Sequence, residues 1–286
     1  MLKSMRKTIT QIYEVQNPRE AEALGTIGID HIGSVLTDET SWKNSDILET
    51  IQVSRQTGAR GTLIPLLQNR TTLFRALDYY HPDIVHFCEA LSPFPAEQDE
   101  TIRACDAMLN LQMDVKNRYP QIEVMRSLSV PQTGWLKTNE LAGNILSFAK
   151  RLAPFSDYFL IDTLLVQAKT VSRQPVSGYV GITGKICDWN LAKIVIENSP
   201  LPVILAGGLS AENVYNAVRS LKPAGVDSCT QTNAYDQNGH PVRFKKDMEK
   251  VRLFVQEVRR ADLRLLEYSS PDKQSNITEN TRLSPP

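Results

Sequence analysis

Eight times along the chain a short apolar run rich in Val, Ile and Leu gives way, across a polar loop, to a stretch with apolar residues at helical spacing. Alternation sustained over a whole chain is satisfied by a parallel sheet with helices on its outside, and eight repeats let that sheet close on itself. The expected fold is therefore α/β, a (β/α)8 TIM barrel. The seventh unit is the clearest. Leu201 to Ala206 suits a strand buried on both faces, Gly207-Gly208 breaks it, and Ser210 can cap a helix carrying Val214, Ala217, Val218 and Leu221 on one face.

The other strands are expected at 8–15, 29–36, 61–67, 83–88, 123–130, 158–162 and 225–230. Asn17-Pro18-Arg19-Glu20 opens the first helix, with a cap, a proline at the first position and a glutamate placed for a capping box. The closing helix is expected from Phe244 to Leu266. An open dinucleotide-binding sheet does not fit, because the first turn, Glu14-Val15-Gln16-Asn17, lacks glycine. Residues 1–266 then form a single barrel, and 267–286, rich in Ser, Asn, Thr and Pro, read as a flexible polar tail. The stretch 163–187 holds Gly178, Gly181 and Gly184, and is long enough to be expected to build or cover a site.

Composition narrows the function classes. Thirty-two basic residues balance thirty-two acidic ones, so no overall field recruits nucleic acid or an acidic membrane. The basic pairs Lys245-Lys246 and Arg259-Arg260 read as solvated helix faces. The four cysteines have no CxxC spacing, which points to reduced thiols and no closed zinc site. No eighteen-residue apolar segment occurs, and Met1 to Lys7 leads into no signal core. A cytoplasmic protein without cofactor, metal, nucleic-acid or membrane partner is expected, as monomer or homodimer.

In a barrel the carboxyl ends of the strands share one mouth, which would gather Tyr13, Glu14, Glu89, Arg126, Asp162, Gly207 and Gly208. Asp162 closes the apolar run Phe159-Leu160-Ile161, where partial desolvation suits a general acid; a loop-capping role is the alternative. Glu14 is the better base near strand one and Tyr13 the poorer, and strict alternation lets only one of them face inward. His31 and His86 lie within strands and read as core histidines. Gly184-Lys185, Gly207-Gly208 and Thr230-Gln231 stand in loops suited to holding a phosphate through backbone N–H groups, although each glycine also serves a tight turn. Arg126 could contact an acidic substrate group or form a structural ion pair.

These motifs resemble the phosphoribosylanthranilate isomerase family, (β/α)8 enzymes of the tryptophan pathway that perform an Amadori rearrangement. The resemblance runs from about Gln11 to Arg259. It is carried by Asp30 to Leu36, Asp83 to Phe87, Phe159 to Asp162, Gly184-Lys185 with Asp188-Trp189, and Pro202 to Val214. It implies an acid at Asp162 and a base at the end of strand one. There the family's KICGIT becomes Gln11-Ile12-Tyr13-Glu14-Val15-Gln16, so Tyr13 replaces the basic cysteine. The family's QLHG becomes His86-Phe87-Cys88-Glu89, its GGSGK becomes Gly181 to Lys185, and its SSGVE becomes Cys229 to Asn233.

Three readings follow, each on a small phosphorylated or anionic metabolite. The first is an isomerase whose base has moved to Glu14 or Glu89. The second is a related lyase or aldolase, for which Lys185 is a weak Schiff-base candidate. The third is a non-catalytic ligand-binding or regulatory barrel. A carboxylate facing Asp162 favours chemistry, and Tyr13 with Trp42 packed over the mouth favours the third. Carboxylates at 14, 89 and 162 could hold a cation only if all faced inward.

Overall fold

The computed structural model describes residues 7–94, 98–132, 138–167, 170–171 and 174–269. Strands β1 (Ile9–Ile12), β2 (His31–Leu36), β3 (Arg60–Pro65), β4 (Ile84–Phe87), β5 (Glu123–Pro131) and β6 (Tyr158–Leu164) are followed by a small antiparallel pair, β7 (Val166–Gln167) with β8 (Thr170–Val171). Strands β9 (Val203–Leu205) and β10 (Gly225–Ser228) complete a closed parallel barrel in which β10 lies against β1. A second antiparallel pair, β11 (Asn233–Tyr235) with β12 (Pro241–Lys246), follows β10.

Around the barrel run α1 (Pro18–Ile27), α2 (Ser45–Gln56), α3 (Arg70–Tyr80), α4 (Gln98–Arg118), α5 (Thr138–Leu152), α6 (Trp189–Asn198), α7 (Val214–Leu221) and α8 (Met248–Ser269). Local chemistry sets several starts. Asn17 Oδ1 accepts from the Arg19 N–H at 2.8 Å with Pro18 at the first helical position, and Asp188 caps α6 by accepting from Asn190 and Leu191 N–H. Ser210 caps one turn ahead of α7, its hydroxyl accepting from Glu212 N–H.

Alternation along the strands sorts side chains into two cores. Leu160, Ile204, Ile84 and Met125 fill the barrel interior, whereas Ile161, Leu205 and Val226 face outward against Leu191, Val195, Val218 and Phe254. Ile161 pairs with Leu205, and Leu205 with Val226, so three neighbouring strands present one level apolar row to the helices. Truncating such a residue, as in Leu205→Ala, costs about 2–5 kcal/mol.

Several boundaries differ from expectation, three of them by enough to matter. The first strand ends at Ile12 rather than Val15, because Glu14 adopts a left-handed φ of 62°. Phe244 to Lys246 belong to β12, and the closing helix starts at Met248. That helix continues through 267–269, where a tail was expected; 270–286 lie outside the described residues. The β11–β12 turn is closed by Asp236, whose carboxylate accepts from Asn238 and His240 N–H at 2.9 and 2.8 Å, and by Gly239 at φ 78°.

Candidate active site at the barrel mouth

Two small adjoining cavities occupy the carboxyl-end mouth. One, of about 30 Å3, is lined by Gly184, Gly207, Gly208, Thr230 and Gln231, with Asp162 and Asp227 at its inner end. Five of the six residues expected to hold a phosphate thus meet at one place. Their loops are tied together: Thr163 Oγ1 donates to the Lys185 carbonyl at 2.7 Å, and Gln231 Nε2 to the Gly184 carbonyl at 3.2 Å. Gly208 sits at φ 63°, and a Cβ there would stand 2.8 Å from the carbonyl carbon of Lys185, so only glycine lets the two loops close. Lys185 itself is exposed and lines neither cavity.

The second cavity, of about 50 Å3, is lined among others by Tyr13, Glu14, His86, Cys88, Asp162 and Asp227. Both strand-one candidates reach it, contrary to the alternation rule. The left-handed turn at Glu14 takes that residue out of the strand register and swings its side chain round. Glu14 is 1% exposed; Arg243 of β12 donates to its Oε1 through Nε at 2.8 Å and through Nη2, while Oε2 is buried without a hydrogen bond.

Tyr13 fills the centre of the mouth. It is 5% exposed, its ring stacks on His86 with centroids 5.3 Å apart, and its hydroxyl faces Met125 Sδ at 3.5 Å. Burial first, with Asp227 and then Cys88 adding, pushes the phenol well above its ordinary value. A neutral phenol of this kind is packing material and not a proton acceptor at neutral pH.

Asp162 faces the cavity from β6. Its Oδ1 accepts from the Thr163 N–H at 2.7 Å, and burial pushes its carboxyl up to about 6 against that bond. Gly181, at φ 105°, lies directly over Oδ2, where no side chain would fit.

Glu89 and Arg126 lie elsewhere. Arg126 alternates with Met125 and therefore points outward, 0% exposed, where Nε donates to Gln112 Oε1 of α4 at 2.8 Å and Nη1 pairs with Glu89. A buried guanidinium requires that counter-charge, so Glu89 is committed to it and faces away from Asp162. Neither lines a mouth cavity, which corrects the expectation that they act there. The trio 14, 89 and 162 accordingly does not assemble, and among the described residues no group of three His, Cys, Asp or Glu side chains has metal-binding geometry. Trp42 packs on Tyr79 and Arg75, away from the mouth.

Sequence reasoning missed Asp227, Gln11, Arg243 and Lys246. Asp227 carried a signal: it is one position before the end of β10 and alternates with the outward Val226. It accepts from Gln11 Nε2 at 3.1 Å, and Gln11 Oε1 lies 3.1 Å from Nδ1 of His31. Burial first, then the charge of Asp162, pushes its carboxyl up to about 8. Lys246, expected on a solvated helix face, is buried with Nζ donating to the Cys229 carbonyl at 3.0 Å. Arg243 and Lys246 reach the mouth only because the β11–β12 hairpin folds back over it.

A profile of the N-(5'-phosphoribosyl)anthranilate (PRA) isomerase family matches residues 135–257. N-(5'-phosphoribosyl)anthranilate isomerase of Methanosarcina acetivorans is 24% identical over 260 residues, covering 90% of this chain and 95% of the relative. The chain is similar to phosphoribosylanthranilate isomerases over most of its length. Its fold is shared with the family's solved structures. The enzyme from Pyrococcus furiosus superposes with a TM-score of 0.60 at 20% identity, covering 88% of this chain and 99% of that one. A phosphoribosylanthranilate isomerase in complex with reduced 1-(O-carboxyphenylamino)-1-deoxyribulose 5-phosphate gives 0.58 at 16% identity, covering 88% and 98%. At the end of β1 the present chain places a buried tyrosine with a glutamate beside it.

Proposed function

We propose that this barrel catalyses an Amadori-type isomerisation of a phosphorylated aminosugar, with Asp162 as proton donor and Glu14 as proton acceptor. The observation that supports the reading is the placement of Asp162 in the lining of both a glycine-lined cavity and a second cavity lined by Glu14, whose Oε2 has no hydrogen-bond partner. The phosphate belongs in the first cavity, against Gly184, Gly207, Gly208, Thr230 and Gln231, and the sugar carbons between the two carboxylates.

Protonation of the ring oxygen by Asp162 breaks the C1–O bond as the amine nitrogen forms the iminium. Glu14 Oε2 then takes the C2 proton and returns it to C1 as the C2 hydroxyl gives its own proton back to Asp162 and becomes the ketone. One acid and one base suffice, and the strand-one thiol is dispensable if Glu14 reaches C2. A family relative bound to a carboxyphenylamino deoxyribulose phosphate supports this substrate class.

The filled centre of the mouth favours a second reading, a barrel that binds a phosphorylated ligand without turning it over. Freshly generated phosphoribosylanthranilate separates the two. The isomerase consumes its fluorescence, and Asp162→Asn abolishes that loss. Binding without conversion by the intact, folded protein establishes the second reading instead.

A further inference from the structure

Asp162 and Asp227 stand level across the barrel wall. Ile161 is in register with Leu205, and Leu205 with Val226, so one residue further on Asp162, Ala206 and Asp227 share a level. Two strand spacings separate their backbones by roughly 10 Å. The side chain between them is only a methyl group, belonging to the barrel-interior Ala206, and both carboxylates line both mouth cavities.

Their hydrogen bonds fix which oxygens are free. Asp162 Oδ1 is held by the Thr163 N–H and Asp227 Oδ1 by Gln11 Nε2. The Gln11 amide is oriented in turn by His31, whose Nδ1 faces Gln11 Oε1 at 3.1 Å. Burial pushes His31 down to about 4, so at neutral pH it is an uncharged donor through Nδ1–H. The chain His31 to Gln11 to Asp227 therefore runs in one direction and leaves Oδ2 as the oxygen of Asp227 that can carry a proton without losing a bond, as Oδ2 is for Asp162.

We propose that Asp227 and Asp162 hold one proton between them, Asp227 being the partner that keeps the strand-six donor supplied. The surroundings of Asp227 favour this. From β1 it meets the neutral Gln11 and Tyr13 and the acidic Glu14; from β6, Asp162; from its own strand's end, Cys229; and Lys246 of β12 is the cation among the groups acting on it. Lys246 is itself bound to Cys229 and Asn233. Two carboxylates facing one small cavity with so little counter-charge retain a proton in common.

The catalytic consequence rests on the isomerase reading. After Asp162 protonates the ring oxygen, the pair is without its proton. When the C2 hydroxyl becomes the ketone, that hydroxyl proton passes to the pair, while Glu14 returns the C2 proton to C1. Protons lost and gained balance over one turnover, and the pair ends as it began.

Infrared spectroscopy of the full chain without substrate tests the sharing directly. The wild type shows a protonated carboxyl C=O stretch at pH 7 that disappears as pH rises through about 8. The band is absent at pH 7.5 in Asp227→Asn and in Gln11→Lys, which places an ammonium against Asp227 and serves should the first variant fail to fold. Kinetically, Asp227→Asn moves the alkaline limb of turnover from near 8 to near 6, the values toward which Asp227 and Asp162 are pushed. At pH 8 that is a loss of about fiftyfold, with activity kept below pH 6. A wild type with no such band at pH 7, or an unmoved alkaline limb in Asp227→Asn, overturns the proposal. The band without any turnover of phosphoribosylanthranilate supports the pair and removes the reaction assigned to it.

Discussion

Tyr13 lies flat on His86, their rings 5.3 Å apart and inclined by 22°, and this stack plugs the centre of the barrel. His86 is held in turn by Ser127, whose hydroxyl lies 2.9 Å from Nε2. The plug lines the second cavity together with Glu14, Cys88 and Asp162, and does not line the glycine-lined one.

Tyr13→Cys removes most of a buried aromatic side chain, and we expect a loss of about 3 kcal/mol in unfolding free energy, measured by urea titration. The same variant enlarges the second cavity. Substrate affinity should rise, and turnover with it if the thiol can act as base. Unchanged binding of a phosphorylated aminosugar would show that the plug does not limit access.

Arg243→Met leaves the buried Glu14 without its guanidinium. Because Arg243 is itself 43% exposed in its side chain, the expected destabilisation is about 1–3 kcal/mol and not the full cost of an unpaired buried charge. Glu14 also loses the partner that orients its carboxylate, so turnover falls while binding of inorganic phosphate, measured by calorimetry, is unaffected.

Gly208→Ala forces a Cβ against the Lys185 backbone at a left-handed φ, costing about 1–2 kcal/mol and pushing the two loops apart. KM for a phosphorylated substrate should increase more than kcat decreases. Equal effects on a dephosphorylated substrate would detach these loops from phosphate binding.

Stability should fall toward acid for a stated reason. Burial first, with Arg126 adding, pushes His86 down to about 3, and burial with Arg60 lowers His31 to about 4. With folded values below the unfolded 6.5, these groups contribute stability that is complete above pH 6.5 and lost as pH falls toward 4 and then 3. Thermal midpoints of His86→Asn should show a shallower decline over that window. Asp227 has the opposite sign: its folded value is raised, so its contribution is complete below about 4 and lost as pH rises through about 8. Asp227→Asn should accordingly gain on the wild type between those limits.

The barrel could be read from the chain because each strand and helix is written locally, in the period of its apolar residues and in caps such as Asn17 and Asp188. The same holds for Asp162 and the loop glycines, whose places follow from where an apolar run ends. Asp227 was legible by the same rule, as an inward residue at the end of β10. Arg126 and Glu89 were misplaced because strand ends specify a rim and not a side; the parity set by Met125 turns them outward.

What sequence determined by itself was the repeating unit, its eightfold count and the residue types offered at the rim. Tertiary structure alone decided which of them meet. The bond from Gln11 to Asp227 and the reach of Arg243 to Glu14 depend on closure of β10 against β1, and the common level of Asp162 and Asp227 on the register of β6, β9 and β10. Residues more than two hundred positions apart become neighbours there, and no local pattern encodes the register that joins them.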